Sequence, residues 1–163
     1  MNPALADKAS RIRPDSSWGV LMQNAAREVF ELMVGTEISP IENPPEGPSG
    51  EVSALVGMAG SICAVFRLRC SGEAAVSITT KMLGGQDPGD NSHAWDAMGE
   101  ICNMVAGNFK AKVAGLAEGC MLSVPTVVAG EDYDVYPLAG RDHIEVSLDY
   151  EGKPIWVILE ISG

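Results

Sequence analysis

From Ser92 to Ala114 the apolar residues Trp95, Met98, Cys102, Val105 and Phe109 recur at alternating steps of three and four. Only a helix of 3.6 residues per turn brings all five to one side, so the stretch predicts a long α-helix, beginning at about Ser92 or His93, with that face in a core. One position away, about 100° around such a helix, stand Asp96, Glu100 and Asn103 at i, i+4 and i+7. Two acids and an amide therefore share a stripe that borders the core yet can reach solvent.

A second helical stretch, "WGVLMQNAAREVFELMVG", places Trp18, Met22, Ala25, Val29 and then Leu32 or Met33 on one face. Ser16 or Ser17 is positioned to cap its start and Gly35 to end it. A third, "SGEAAVSITTKMLGG", has helical spacing at Ala75, Ile78, Thr79 and Met82 with paired glycines as a stop. The other apolar stretches are short and rich in β-formers. "EVSALVGMAGSICAVFRLRC" reads as a hairpin around a glycine-containing turn, and "GCMLSVPTVVAG", "HIEVSLDYEG" and "KPIWVILEIS" as three more strands, the last two joined across "YEGK". "EISPIENPPEGPSG" is a connection, with Ile38 and Ile41 in a short extended piece. Short strands mixed with long helices predict an α+β domain, an antiparallel sheet covered on one face by helices.

A chain of 163 residues fits one domain, with residues 1–14 as a flexible lead-in and 15–163 as the folded unit. Its longest apolar runs are too short to span a bilayer, and the polar N-terminus lacks the apolar stretch of a secretion signal, so the expected place is the cytoplasm and no membrane. Acids outnumber bases 22 to 11, and a net charge of −11 repels phosphate backbones, so nucleic acid is not an expected partner. Cys63, Cys70, Cys102 and Cys120 form no CxxC pair and have no histidine at ligand spacing; they read as buried free thiols, and no metal site is expected.

Sliding the chain by 72 positions lays "NAAREVFELMVG" over "DAMGEICNMVAG", pairing Asn24 with Asp96, Glu28 with Glu100, Glu31 with Asn103 and Gly35 with Gly107. Read as a repeat, this predicts two pseudo-symmetric long helices on one sheet, with the acid and amide pair complete only in the second. Read as chance, it reflects the common period of any two amphipathic helices.

The second copy carries a pattern of acid, three residues, Glu, two residues, Asn, with a proline further on: Asp96, Glu100, Asn103 and Pro125. In this order, with "VFELMVGTEI" and "VSALVGMAGSICAVFRL" before it, the chain resembles the CheC, CheX and FliY phosphatases of bacterial chemotaxis from Trp18 onward, and CheX most, because one motif is complete. The resemblance implies a CheC-like fold and a phosphatase for the aspartyl phosphate of a CheY-like receiver domain. In that reading Asn103 positions the attacking water and Glu100 pairs with the receiver's lysine. Asp96, Gly107 and Pro125 would serve partner binding, Gly107 and Gly99 by letting another backbone approach closely. The cofactor is then Mg²⁺ held by the receiver, with none held by this chain. A homodimer is also implied, and "PIWVILEI" would be an aggregation hazard if it were left at a sheet edge.

Taken without that resemblance, an exposed Asp, Glu and Asn are an ordinary solvated helix face. Trp18, Trp95 and Trp156 are core or interface anchors, His93 belongs to the helix start and His143 to a strand, and "DYDVY" and "RDH" are acidic loop segments. Two function classes stay open: the phosphatase, and a non-catalytic binding or scaffold protein of the same fold engaging a receiver or flagellar-switch component. A structural domain of other purpose is the third reading. An amide at Asn103 favours the enzyme, since a binder does not need one there.

Overall fold

In the computed structural model, residues 12–45, 52–130 and 142–162 are described. Helix α1 (Trp18–Val29) runs into a wider π-helical turn (Phe30–Val34); strand β1 (Ser39–Pro40), the hairpin β2 (Val52–Gly60) and β3 (Cys63–Cys70), and helix α2 (Gly72–Met82) follow. Helix α3 (Asn91–Lys112), strands β4 (Cys120–Leu122) and β5 (Thr126–Ala129), and the hairpin β6 (Asp142–Tyr150) and β7 (Lys153–Ile161) complete the order. All strand pairs are antiparallel, in the order β1-β6-β7-β3-β2-β4, with β5 also paired to β2.

This order has an internal two-fold logic. Each long helix leads to a short strand and then to a hairpin, β1 with β2–β3 in the first half and β4–β5 with β6–β7 in the second. The halves are exchanged: β1 pairs with β6, β4 and β5 pair with β2, and the two hairpins meet along β3 and β7. The helices are exchanged as well, α1 lying over β6 and β7 and α3 over β2 and β3. The repeat read from the sequence thus corresponds to a pseudo-symmetric fold in which neither half could bury its apolar face alone.

The core lies between the helices and alternate strand positions, among them Val52, Ala54, Val56, Phe66, Leu68, Val157 and Leu159. Phe109 of α3 sits at its centre, 5.6 Å from the ring of Trp18 and 5.9 Å from that of Phe66. Trp156 faces the other side of the sheet, where the Arg69 guanidinium lies 4.7 Å from its ring, and beside it Arg67 and Glu160 form a buried ion pair at 3.4 Å. Ile12, inside the stretch expected to be a lead-in, packs against the core.

Several local expectations shift. Capping of α3 begins at Asp90, whose carboxylate accepts the Ser92 N–H at 2.9 Å, so the helix starts at Asn91. Leu32 and Met33 do not continue the buried face of α1: Leu32 is 79% exposed, while Phe30 and Val34 are buried. The π turn widens the last helical turn and rotates the face onto those two residues before Gly35, at φ +71°, ends the helix. The run "GCMLSVPTVVAG" makes two strands, because Pro125 has no N–H for a ladder. "YEGK" turns as read, with Glu151 and Gly152 both left-handed, as a two-residue hairpin requires.

Two other expectations are corrected. Cys63 is exposed at the start of β3, on the face away from the helices; Cys70, Cys102 and Cys120 are buried. "PIWVILEI" is β7, held between β6 and β3 at the centre of the sheet, so it presents no edge to protect. Among the described residues the edges fall to β1 and to β4–β5, both short and both beside prolines, a combination that discourages further pairing. "DYDVY", Arg141 and residues 46–50 of the proline-rich connection lie outside the described residues.

Candidate active site

The stripe occupies the middle of α3, the longest helix among the described residues. Met98, Ile101, Cys102, Val105, Ala106 and Phe109 anchor its inner side. Trp95, predicted for the same face, is half-buried near the start of α3. Cys102 hangs inward, its Sγ 3.4 Å from the Ala54 carbonyl oxygen, and burial pushes its thiol up to about 12. It is a packing residue and no nucleophile at neutral pH. With the helix held rotationally by these contacts, Asp96 and Glu100 are exposed and Asn103 is half-buried. None of the three side chains makes a hydrogen bond or ion pair with the described residues.

The chain between β4 and β5 runs back along α3 as a strap, meeting it near Gly107 and Gly99. A Cβ added to Gly107 would lie 3.8 Å from Leu122, and one added to Gly99 would lie 3.2 Å from Val127 and 3.5 Å from Pro125. Gly99, Asn103 and Gly107 form one i, i+4, i+8 row about 12 Å long, close to the ~10 Å spanned by three extended residues from Leu122 to Pro125. Asn103 therefore stands opposite the middle of the strap. That middle is clasped to the sheet: the Ser123 N–H donates to the Gly57 carbonyl at 2.8 Å, and the Gly57 N–H donates to the Ser123 hydroxyl at 2.8 Å.

Of the residues singled out from the sequence, Asp96, Glu100 and Asn103 share one helix, and Pro125 is brought against it at Gly99. Gly107 is different from the expectation of a tight backbone approach. Its neighbour Leu122 is at ordinary contact distance, so the chain itself does not need glycine there. Ser123, Gly57 and Val127 were missed; the signal for them was the "SVP" interruption inside an otherwise β-like run.

The echoed positions on α1 have a different fate. Glu28 accepts hydrogen bonds from Asn108 and Lys112 of α3, each at 2.8 Å, and Asn108 also reaches the Ala25 carbonyl at 3.2 Å. Lys112 foremost, then Asn108, holds the Glu28 carboxyl below its usual range. Glu31 is exposed.

A cleft of about 640 Å³ lies near the start of α3, lined by residues such as Glu73, Ser77, Asn91 and Trp95; Glu100 and Asn103 do not line it. The stripe sits on open surface, which fits recognition of a macromolecule better than enclosure of a small one. Among the described residues no group of three His, Cys, Asp or Glu side chains could hold a metal ion, and no helix is long and apolar enough to cross a membrane.

The fold is shared with solved proteins. A CheC-like superfamily protein from Shewanella sp. PV-4 aligns with a TM-score of 0.78 at 21% identity, over 92% of this chain and 100% of that one. The chemotaxis protein CheX from Vibrio vulnificus aligns with a TM-score of 0.78 at 22% identity, over 93% and 100%. CheX in a CheX–CheY–BeF3–Mg²⁺ complex from Borrelia burgdorferi gives 0.73 at 23%, over 93% and 100%. In sequence, the CheY-P phosphatase CheX of Thermotoga maritima is 30% identical over 82 residues, 50% of this chain and 53% of that protein, so the match spans about half the length of that relative. Residues 52–149 match the family described as chemotaxis phosphatase CheX, and this segment carries the β2–β3 hairpin, the whole of α3 and the strap. With more than half of its length matched and a CheC-like fold around the stripe, the chain belongs to the CheX family of chemotaxis phosphatases.

Proposed function

We propose that this chain hydrolyses the aspartyl phosphate of a CheY-like receiver domain, with Asn103 positioning the attacking water and Glu100 fixing the docking register. The observation that carries the reading is that Glu100 and Asn103, on one stripe, have no side-chain partner among the described residues, while the counterpart of Glu100, Glu28, is consumed by an internal clasp. The names of the relatives, a CheY-P phosphatase and a CheX–CheY complex with BeF3 and Mg²⁺, support the same substrate class.

The chemistry asks little of the protein beyond placement. Water attacks phosphorus as the P–O bond to the aspartyl carbonyl carbon's oxygen breaks; the electron pair leaves with the carboxylate, and the water's proton ends on inorganic phosphate. An amide can accept a hydrogen bond from that water through its oxygen and donate to a phosphoryl oxygen through its nitrogen. It does so without competing as a nucleophile, as a positioned glutamine does in GTPases. Glu100, one turn before Asn103, pairs with a receiver lysine and spends no internal partner in doing so. Asp96 lies a further turn towards the helix start and contacts the receiver at the rim. Mg²⁺ belongs to the receiver's own acids and neutralises the phosphoryl charge there.

The test is the decay of acyl phosphate on receiver domains from the same genome, with this protein absent, present, or present as Asn103→Ala. Wild type accelerates the decay, and the variant loses roughly a hundredfold, about 2.7 kcal/mol of barrier. Binding of a receiver without acceleration would instead establish the scaffold reading, with the stripe as a docking surface. Homodimerisation is the other property the resemblance implies, and sedimentation at two concentrations tests it.

A further inference from the structure

We propose that Gly99 is a positioning residue for Asn103, acting through the clearance it gives the β4–β5 strap. This rests on the phosphatase reading for its kinetic consequence, though not for its structural one. Glycine inside a helix is unfavourable relative to alanine, so a central Gly99 asks for a reason. The reason is contact: a Cβ there would stand 3.2 Å from Val127 Cγ2, 3.5 Å from Pro125 Cβ and 3.6 Å from Pro125 Cγ. The first of these distances is tighter than ordinary side-chain packing. Gly107 at the other end of the row shows the contrast, its nearest neighbour being Leu122 at 3.8 Å.

The strap has little freedom to yield. Ser123 is clasped to Gly57 through two hydrogen bonds of 2.8 Å, and β5 is registered on β2 from Thr126↔Leu55 to Ala129↔Val52. A side chain at position 99 must therefore push the Val127 methyl, and with it the strap, a few tenths of an ångström away from α3. Asn103 is half-buried one turn along the same row, between the two points where α3 meets this strap. Lifting it frees the amide to take other rotamers and unfixes the water that the amide holds. Catalysis by placement is sensitive to such shifts: displacements of about 1 Å can cost ~100-fold in rate. Gly99 touches neither water nor phosphoryl group.

The experiment compares wild type, Gly99→Ala, Val127→Ala, the double variant, and Val127→Ile, which crowds the same gap from the strap side. Two readouts are taken: kcat and KM for acyl-phosphate loss from a CheY-like receiver, and the side-chain amide NMR signals of Asn103 in the free protein. Gly99→Ala is expected to lower kcat about tenfold with KM within about twofold, and to shift the Asn103 amide signals. Val127→Ile moves the signals in the same sense, and the double variant returns kcat and signals to those of Val127→Ala alone. Unmoved amide signals and full kcat in Gly99→Ala, or a double variant no better than the single, would overturn the proposal. If wild type has no phosphatase activity, the amide signals still decide it, so its failure is distinct from failure of the proposed function.

Discussion

Helices α1 and α3 hold corresponding places in the two halves, each lying across the other half's hairpin, yet among the described residues Glu28 is bound and Glu100 is not. Glu28 is bound by Asn108 and Lys112, residues supplied by α3 itself, and serves to join the helices. Glu100 has no such partner among the described residues. The amide position diverges too: Glu31 is exposed in the π turn, whereas Asn103 is half-buried on the row of α3 that meets the strap. The described residues of the first half hold nothing comparable, since β1 is a short strand reached soon after Gly35. One scaffold, used twice, has become a structural clasp in one copy and an open stripe in the other.

The largest break in this arrangement is expected from Phe109→Ala, which removes the ring that ties α3 to both Trp18 and Phe66. Chemical denaturation should show a loss of about 3–5 kcal/mol. Next is Asn103→Glu, which gives α3 the residue found at the echoed position of α1. Acyl-phosphate decay should slow by roughly a hundredfold or more, about 2.7 kcal/mol, with the melting temperature nearly unchanged. Glu100→Gln should raise KM for the phosphorylated receiver about tenfold, close to 1.4 kcal/mol, in titrations at low salt.

The smallest effect sharpens the comparison most. Glu28→Gln should lower the melting temperature at neutral pH and leave kcat and KM alone. Because the folded-state carboxyl of Glu28 is held below its usual value of 4.5, its stabilisation is present above that value and fades as pH falls through the lower folded one. Melting curves of wild type and Glu28→Gln should therefore differ at pH 7 and converge in strong acid. A gap that persists at low pH would mean that the clasp is not electrostatic.

Much of the fold was legible because its signals are local. The period of Trp95 to Phe109 defines which side of α3 is buried, and "YEGK" specifies a hairpin turn whatever surrounds it. The stripe was legible for the same reason, as was the echo that foretold a two-fold arrangement. The π turn was not: nothing in "FELMV" distinguishes a widened turn from an ordinary one, so the period places Leu32 or Met33 inside, and both stand outside. The place of β7 in the sheet was not legible for another reason. Its apolar run signals burial on both faces, but burial at a sheet centre and burial against a second subunit look alike in sequence.

The sequence by itself determined the two amphipathic helices, the hairpins and the one stripe that joins two acids to an amide, because side-chain periodicity along a regular backbone decides what faces the core. Only the tertiary structure decided which acid is free and how the amide is held. Glu28 meets Asn108 across 80 residues of chain, and the strap meets Gly99 only after β5 has registered on β2. Such pairings depend on the order in which the strands assemble, and chain neighbours carry no record of it.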